Sequence, residues 1–376
     1  MSKWRECSLG EQINLKRGYD LPTRIRQDGE VPIYSSSGIT GFHSEKMCNG
    51  PGVVTGRYGT IGKVFFSNNH YWPLNTTLYV QDFKGNDELF VYYFLQQLDW
   101  AKYSDKSAVP GVNRNDVHQE EIIIPPLAEQ KAIASVLSSL DDKIDLLHRQ
   151  NKTLEAIGET LFRQWFIEEA QESWKKKRLG EYISIKHGFA FKGEFISTDR
   201  SNQILVTPGN FKIGGGFKTG KMKYYHDSEF PKDYGLDADD LVVTMTDLSK
   251  EGDTLGYPAL IPENVDEIYL HNQRIGKVII KSDLPKYFLY FLMKADEYQW
   301  YVLGASSGTS VMHTSPTLIC NYSFLLPPSD KIEKFNTLSG NSLKKVAKNL
   351  SQIHTLKKLR DTLLPKLMNG EVRVKI

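Results

Sequence analysis

Residues 128–166 read AEQKAIASVLSSLDDKIDLLHRQNKTLEAIGETLFRQWF, and this stretch decides the fold. It contains no proline and a single glycine, and it follows Pro125-Pro126. A proline pair suits a helix start, because the first turn leaves its N–H groups unpaired in any case. Glu129 adds negative charge near the positive end of the helix dipole. Ile133, Leu137, Leu140, Ile144, Leu147, Asn151, Leu154, Gly158, Leu161 and Trp165 alternate steps of four and three, which is the seam of a coiled coil. Only Asn151 and Gly158 break its apolar character, and a polar seam residue fixes register at some cost in stability.

The same pattern returns in PPSDKIEKFNTLSGNSLKKVAKNLSQIHTLKKLRDTLLPKLMNGEV, residues 327–372, 202 residues further on. Its seam is weaker: Phe335, Ser339, Ser342, Val346, Asn349, Ile353, Leu356, Arg360, Leu363 and Leu367. Ser339-Gly340-Asn341-Ser342 is expected to interrupt or kink this helix, since glycine costs about 1 kcal/mol against alanine there. Pro365 should kink or end it, and Asn369-Gly370 supplies a stop signal. A helix of ~40 residues is ~60 Å long, too long for the core of a small domain. Each helix needs a partner for its stripe, and the other copy is the nearest. Two-fold related halves would make the helices antiparallel.

The chain repeats at its other landmarks too. Trp4-Arg5-Glu6-Cys7-Ser8-Leu9-Gly10-Glu11 lines up with Trp174-Lys175-Lys176-Lys177-Arg178-Leu179-Gly180-Glu181, an offset of 170, and Ile13, Lys16, Gly18 and Tyr19 continue as Ile183, Lys186, Gly188 and Phe189. Ile122-Ile123-Ile124-Pro125-Pro126 matches Phe324-Leu325-Leu326-Pro327-Pro328. The second half is 32 residues longer between these blocks, the difference of the two offsets, and the middles align poorly. Shared ends with divergent middles describe one scaffold carrying two different heads. The expected fold class is mixed α/β (α+β) with a pseudo-two-fold repeat. Its expected parts are a first head (1–125), a first long helix (126–170), a second head (171–326) and a second long helix (327–376), the helices forming an antiparallel coiled coil.

Bulk numbers agree with an ordinary folded chain. Of 376 residues 40 % are hydrophobic and 24 % charged, enough apolar surface to offset chain entropy. A net charge of +2 requires that any nucleic-acid contact come from local patches. Cys7, Cys48 and Cys320 are scattered and form no CxxC pair, which fits a reducing compartment. With no signal-peptide run and no apolar stretch of membrane length, a cytoplasmic location is expected.

In the heads, Gly52–Thr55, Gly62–Phe66, Thr77–Val80, Leu241–Thr244 and Ile275–Ile280 read as strands. Phe90–Leu95 and Tyr287–Leu292 read as short amphipathic helices. Polar loops lie between them: Tyr34–Gly38, Thr55–Thr60, Lys212–Lys218 and Ser306–Ser310. Such loops carry Ser, Arg, Lys and Asn to phosphates and base edges, or they are simply turns.

Catalytic signatures are missing. Gly59-Thr60-Ile61-Gly62-Lys63 imitates a phosphate loop, but Arg57 stands where its first glycine belongs and Val64 where its hydroxyl belongs. Neither Pro-Pro site has the [Asp/Asn]-Pro-Pro-aromatic form of an adenine methyltransferase. No G-x-S-x-G or H-E-x-x-H occurs, the histidines show no metal spacing, and Asp141-Asp142 and Asp239-Asp240 read as solvated surface.

The ordered motifs resemble the specificity subunit of Type I restriction–modification systems. Four features carry the resemblance: Trp-x4-Leu-Gly-Glu opening both halves, Arg57-Tyr58-Gly59-Thr60-Ile61-Gly62-Lys63 as an Arg-x-Gly-x-x-Gly segment, Pro73-Leu74-Asn75-Thr76-Thr77 after it, and Ile124-Pro125-Pro126-Leu127-Ala128-Glu129-Gln130-Lys131 leading into a helix that ends Leu161-Phe162-Arg163-Gln164-Trp165-Phe166. The second half departs from the pattern, with Thr244-Met245-Thr246-Asp247-Leu248 near the place of the Arg-x-Gly segment and Ser329-Asp330-Lys331 at the helix start. The resemblance implies a non-catalytic, sequence-specific reader of an asymmetric bipartite double-stranded DNA target. The helices would act as a ruler holding the heads about one DNA turn (~34 Å) or slightly more apart. It implies two methyltransferase (modification) subunits and two restriction/translocase subunits as partners, no membrane, and no cofactor on this chain, with S-adenosylmethionine, ATP and Mg²⁺ on the partners. DNA-contact candidates chosen by chemistry are Arg57, Tyr58, Lys63, Ser35, Ser36, Asn113 and Arg114 in the first head. In the second they are Lys212, Lys218, Asp247, Lys250, Asn272, Arg274 and Thr309. Lys175, Lys176, Lys177 and Arg178 read as a solvated linker ahead of phosphate contacts. The alternative is a coiled-coil protein-binding adaptor without DNA specificity, which predicts no salt-dependent DNA binding.

Overall fold

The computed structural model describes residues 3–104, 111–220, 222–227, 229–247, 249, 251–263, 266–308 and 311–375. The chain divides into two compact units, Met1–Lys143 with Lys357–Ile376, and Ile144–Leu356. Each long helix therefore contributes to both. The first runs Leu127–Arg163 and closes in a π turn at Gln164–Glu168; the second runs Ser329–Met368.

The first unit is built on an antiparallel sheet ordered Asn14–Arg17, Thr77–Asp82, Gly52–Gly56, Val64–Ser67. Arg5–Ser8 pairs with Glu121–Ile124 and closes the head where the chain passes into the first long helix. Leu9, Leu15, Val53, Phe90 and Val117 form a core with Ile133 and Leu137 of the first helix and Leu364 and Leu367 of the second. The helices run antiparallel here, with Arg360 bonded to Asp141 at 2.7 Å.

The second unit repeats the plan. Its sheet is ordered Ile183–His187, Ile275–Ile280, Leu241–Thr244, Pro258–Leu260, and Lys175–Arg178 pairs with Ser323–Leu326. That pairing corrects the linker reading of the basic run: it is a strand. An added five-stranded sheet includes Gln203–Val206 and Ile268–His271. Phe162, Phe166, Phe288, Phe291 and Phe335 pack the helices onto the head, with ring centroids 5.1 to 6.4 Å apart.

Strand register aligns the middles that the bare sequence could not. Thr55 faces Leu78 as Val243 faces Gly276. The Val112 N–H donates to the Arg57 carbonyl (2.9 Å) as the Thr314 N–H donates to Met245 (3.0 Å). The offset thus climbs from 170 at the first strand through 188 at Thr55 and 198 at Leu78 to 202 at Val112. Arg57 corresponds to Met245.

Four expectations need correction. The second helix passes through Ser339–Ser342 unbroken, because small residues are what the packing requires there. A Cβ at Gly340 would crowd the Tyr287 ring at 2.7 Å, and the Ser339 hydroxyl donates to the Phe335 carbonyl within the helix at 2.8 Å. Pro365 does not end the helix either; it runs one more turn to Met368, and Gly370 then takes φ +77°. Tyr287–Leu292 is a helix, but all six residues are buried, so it is not amphipathic. Of the paired acids, Asp142 is exposed. Asp141 accepts from Tyr93 and Arg360, Asp239 from Lys286 and Tyr287, and Asp240 from Lys277.

Candidate nucleic-acid interface

The first unit carries a cleft of about 590 Å³, lined among others by Lys16, Arg17, Tyr19, Arg57, Asn113 and Arg114. Its wall is the Arg-x-Gly-x-x-Gly segment, and the motif has a backbone reason. Gly59 and Gly62 take φ +79° and +84°, where a side chain is strained. The N–H groups of Arg57 and Tyr58 both donate to the Thr76 carbonyl, at 2.8 and 3.1 Å. Pro73–Thr77, the turn between the strands Trp72–Pro73 and Thr77–Asp82, therefore fixes the loop. At the cleft floor, a Cβ on Gly18 would strike the Pro73 and Leu74 carbonyls.

The Arg57 guanidinium lies over the Tyr58 ring, 4.4 Å from its centroid, and Tyr58 is exposed. Opposite, Asn113 caps the helix Arg114–His118 by accepting from the Asn115 N–H at 3.0 Å. His118 accepts the Leu15 N–H through Nε2 at 2.9 Å. Burial lowers the pKa of His118, and Arg114 and Lys84 lower it further, which keeps that nitrogen an acceptor. Among the described residues four cations line the cleft, against one carboxylate, Asp20, which Arg17 approaches at 3.7 Å and Asn75 bonds. Cations around the exposed Tyr58 ring suit a phosphate backbone and stacked or edge-on bases.

The structure thus brings Arg57, Tyr58, Asn113 and Arg114 together. Ser36 lies beside the loop, its Oγ 3.6 Å from where a Gly59 Cβ would stand. The Ser35 hydroxyl is spent in the hairpin turn, bonding the Gly38 carbonyl at 3.0 Å. Lys63 is exposed and does not line the cleft. Sequence reasoning passed over Lys16 and Arg17 as contacts. The signal available was the run Lys16-Arg17-Gly18-Tyr19, a basic pair and an aromatic flanking a glycine.

In the second unit Asn272 and Arg274 are hydrogen-bonded neighbours, and the other described candidates fall on other loops. Lys212 is engaged by Glu155 of the first long helix at 3.1 Å, in a turn whose Gly214, Gly215 and Gly216 all have positive φ. Lys218 is exposed, and its backbone bonds Asn210 at 2.7 Å. Asp247 is buried. Burial alone would raise its carboxyl, but hydrogen bonds from Ser249 and Thr254 outweigh this and hold it below the usual carboxylate range. It is an anchor for its own loop. Asn272 is also buried and accepts the Arg274 N–H at 3.0 Å. Arg274 is exposed. Lys250 and Thr309 lie outside the described residues. Met245, at the place of Arg57, is buried.

Among the described residues no group of His, Cys, Asp and Glu is arranged to hold a metal ion, and no helix is long and apolar enough to cross a membrane.

Comparison with known proteins agrees on one family. Residues 1–156 match the family model described as the Type I restriction modification DNA specificity domain. The MjaIX specificity subunit of Methanocaldococcus jannaschii is 27 % identical over 84 % of this chain and 76 % of its own length. The HindI specificity subunit of Haemophilus influenzae is 22 % identical over 99 % and 100 %. The crystal structure of the Type I restriction–modification S subunit from M. genitalium superposes with a TM-score of 0.66 at 17 % identity, covering 98 % of this chain and 96 % of that one. A duplicated scaffold, two unlike heads and these relatives point one way: residues 1–156 match a Type I restriction modification DNA specificity domain, and the chain is similar over most of its length to the specificity subunits of Type I restriction–modification systems.

Proposed function

We propose that the two heads read the two unlike halves of a bipartite double-stranded DNA target, and that the chain catalyses no step itself. The observation that carries this is the non-equivalence of one loop on two copies of one scaffold. Arg57 and Tyr58 line a cationic cleft in the first head, whereas Met245 is buried and Asp247 is consumed by its own loop in the second. Equivalent backbones with unlike side chains offer unlike hydrogen-bonding patterns to base edges. In the second head the exposed Arg274 is the leading contact. Two modification subunits would dock on this chain and supply S-adenosylmethionine-dependent adenine methylation. Two restriction subunits would supply ATP- and Mg²⁺-dependent translocation and cutting.

Methylome sequencing with the gene present and deleted tests the reading. Loss of one bipartite adenine mark with unequal halves is expected. Identical halves, or an unchanged methylome, overturn it. A DNA affinity indifferent to salt would favour a protein-only adaptor.

A further inference from the structure

The long helices meet through a buried amide pair. Asn349 Nδ2 donates to Asn151 Oδ1 at 2.7 Å, and both side chains are buried. The adjacent layer is aliphatic, with Leu147 and Ile353 in one cluster. These two layers are counterparts of each other. The 202-residue offset makes Ile353 the counterpart of Asn151, and Leu147 the counterpart of Asn349. When the first helix meets the second, amide therefore faces amide and aliphatic faces aliphatic. When two first helices meet in the same antiparallel register, each Asn151 faces Leu147. When two second helices meet, each Asn349 faces Ile353. Either arrangement buries two amides without partners, and an unpartnered buried polar group carries its full desolvation penalty.

Two charged contacts in the other unit follow the same logic. Arg360 donates to Asp141 at 2.7 Å; the offset replaces Arg360 with Gly158 and Asp141 with Leu343, so two first helices leave both Asp141 side chains, and two second helices both Arg360 side chains, without this cross-helix partner. Arg373 donates to Glu129 at 2.5 Å; a pair of second helices would set Arg373 against Lys331, the counterpart of Glu129.

We infer that these contacts form a partner code, by which each long helix accepts its unlike copy and rejects a second molecule of its own kind. The code keeps two chains from exchanging into assemblies that carry one head twice. It concerns helix choice alone and stands apart from what the heads bind. The amide pair has a cost that fits a selecting role. Among the described residues Asn151 Nδ2 and Asn349 Oδ1 find no partner, and a fully aliphatic seam would hold the helices more tightly. A polar seam residue that trades stability for partner choice is a known property of paired helices.

The test uses the full chain. An equimolar mixture of ¹⁴N- and ¹⁵N-labelled protein is refolded from denaturant and treated with an amine-reactive cross-linker. Mixed-isotope links between Lys143 of one molecule and Lys152 of another report pairing of two first helices. The native protein is expected to show background levels. The aliphatic N151L/N349L protein should show a rise of about tenfold or more, from the amide penalty removed. The single N151L variant, which strands Asn349, should melt below the double. Mixed-isotope links in N151L/N349L that stay at the native background overturn the code, as does equal melting of the single and double variants.

Discussion

His271 shows how one side chain reports on the fold. It is buried, and Nε2 lies 2.8 Å from the Ile275 carbonyl, which it meets as an N–H donor. Burial is the main cause that lowers its pKa from 6.5 to about 4. The unfolded chain takes up a proton near 6.5, while the folded chain refuses it until about 4. The contribution of His271 to stability is therefore constant above pH 6.5 and falls as pH drops through that window, by on the order of 3 kcal/mol at the lower end. His271→Gln keeps a donor for Ile275 and removes the titration, so its melting temperature should lose this acid slope. A slope equal to the native one would contradict the assignment. Lys16 belongs to the same scale. As a phosphate contact, its loss as Lys16→Ala should weaken all DNA sequences alike and reduce the salt slope of log K by about 1. Titration of binding against salt measures this.

At the scale of elements, the two long helices differ in how readable they are. The first announces itself: all ten seam residues, Ile133 to Trp165, are buried or half-buried. The second misleads in two places. At Gly340 the residue that weakens a lone helix is the one that admits Tyr287, and Leu343 is buried beside the seam residue Ser342. Helix propensity is local, while the need for a small residue comes from another element. Gly340→Leu should therefore destabilise by roughly 1–3 kcal/mol through overpacking, despite its better propensity. Exposed Pro365 is the reverse case. Pro365→Ala restores a helix N–H, and a gain of about 1–3 kcal/mol in denaturant unfolding is expected. The opposite signs separate packing from propensity. The site was legible to the extent that it lay on a motif. Arg57, Tyr58, Asn113 and Arg114 share the cleft, while Asp247 and Asn272 turned inward to bond their own loops. A polar residue in a loop looks the same in sequence whether it faces solvent or its own backbone.

For the whole molecule, the duplication persists in the four-stranded sheet and closing strand pair of each head and is hidden in its spelling. The offset rises in steps because insertions fall between sheet strands, so a single alignment offset cannot hold from Gly18 to Val112. What was obscured was the equivalence of Arg57 and Met245, which needed strand pairing to see. From it follows a prediction on one half of the target. Arg57→Ala should cost ~1–3 kcal/mol and relax sequence preference in one half of the methylated site, leaving the other half intact. Arg274→Ala should do so in the complementary half. Methylome sequencing of each variant reads both; loss of preference in the same half from both substitutions would refute the division of labour.

Each head begins and ends on two strands that lie side by side, Arg5–Ser8 against Glu121–Ile124 and Lys175–Arg178 against Ser323–Leu326. A segment whose two ends are neighbours is an exchangeable cassette. A genetic crossover placed in those strands trades a whole head and leaves the helices untouched, so this lineage can acquire a new DNA address in one recombination event, without passing through ancestors that recognise nothing.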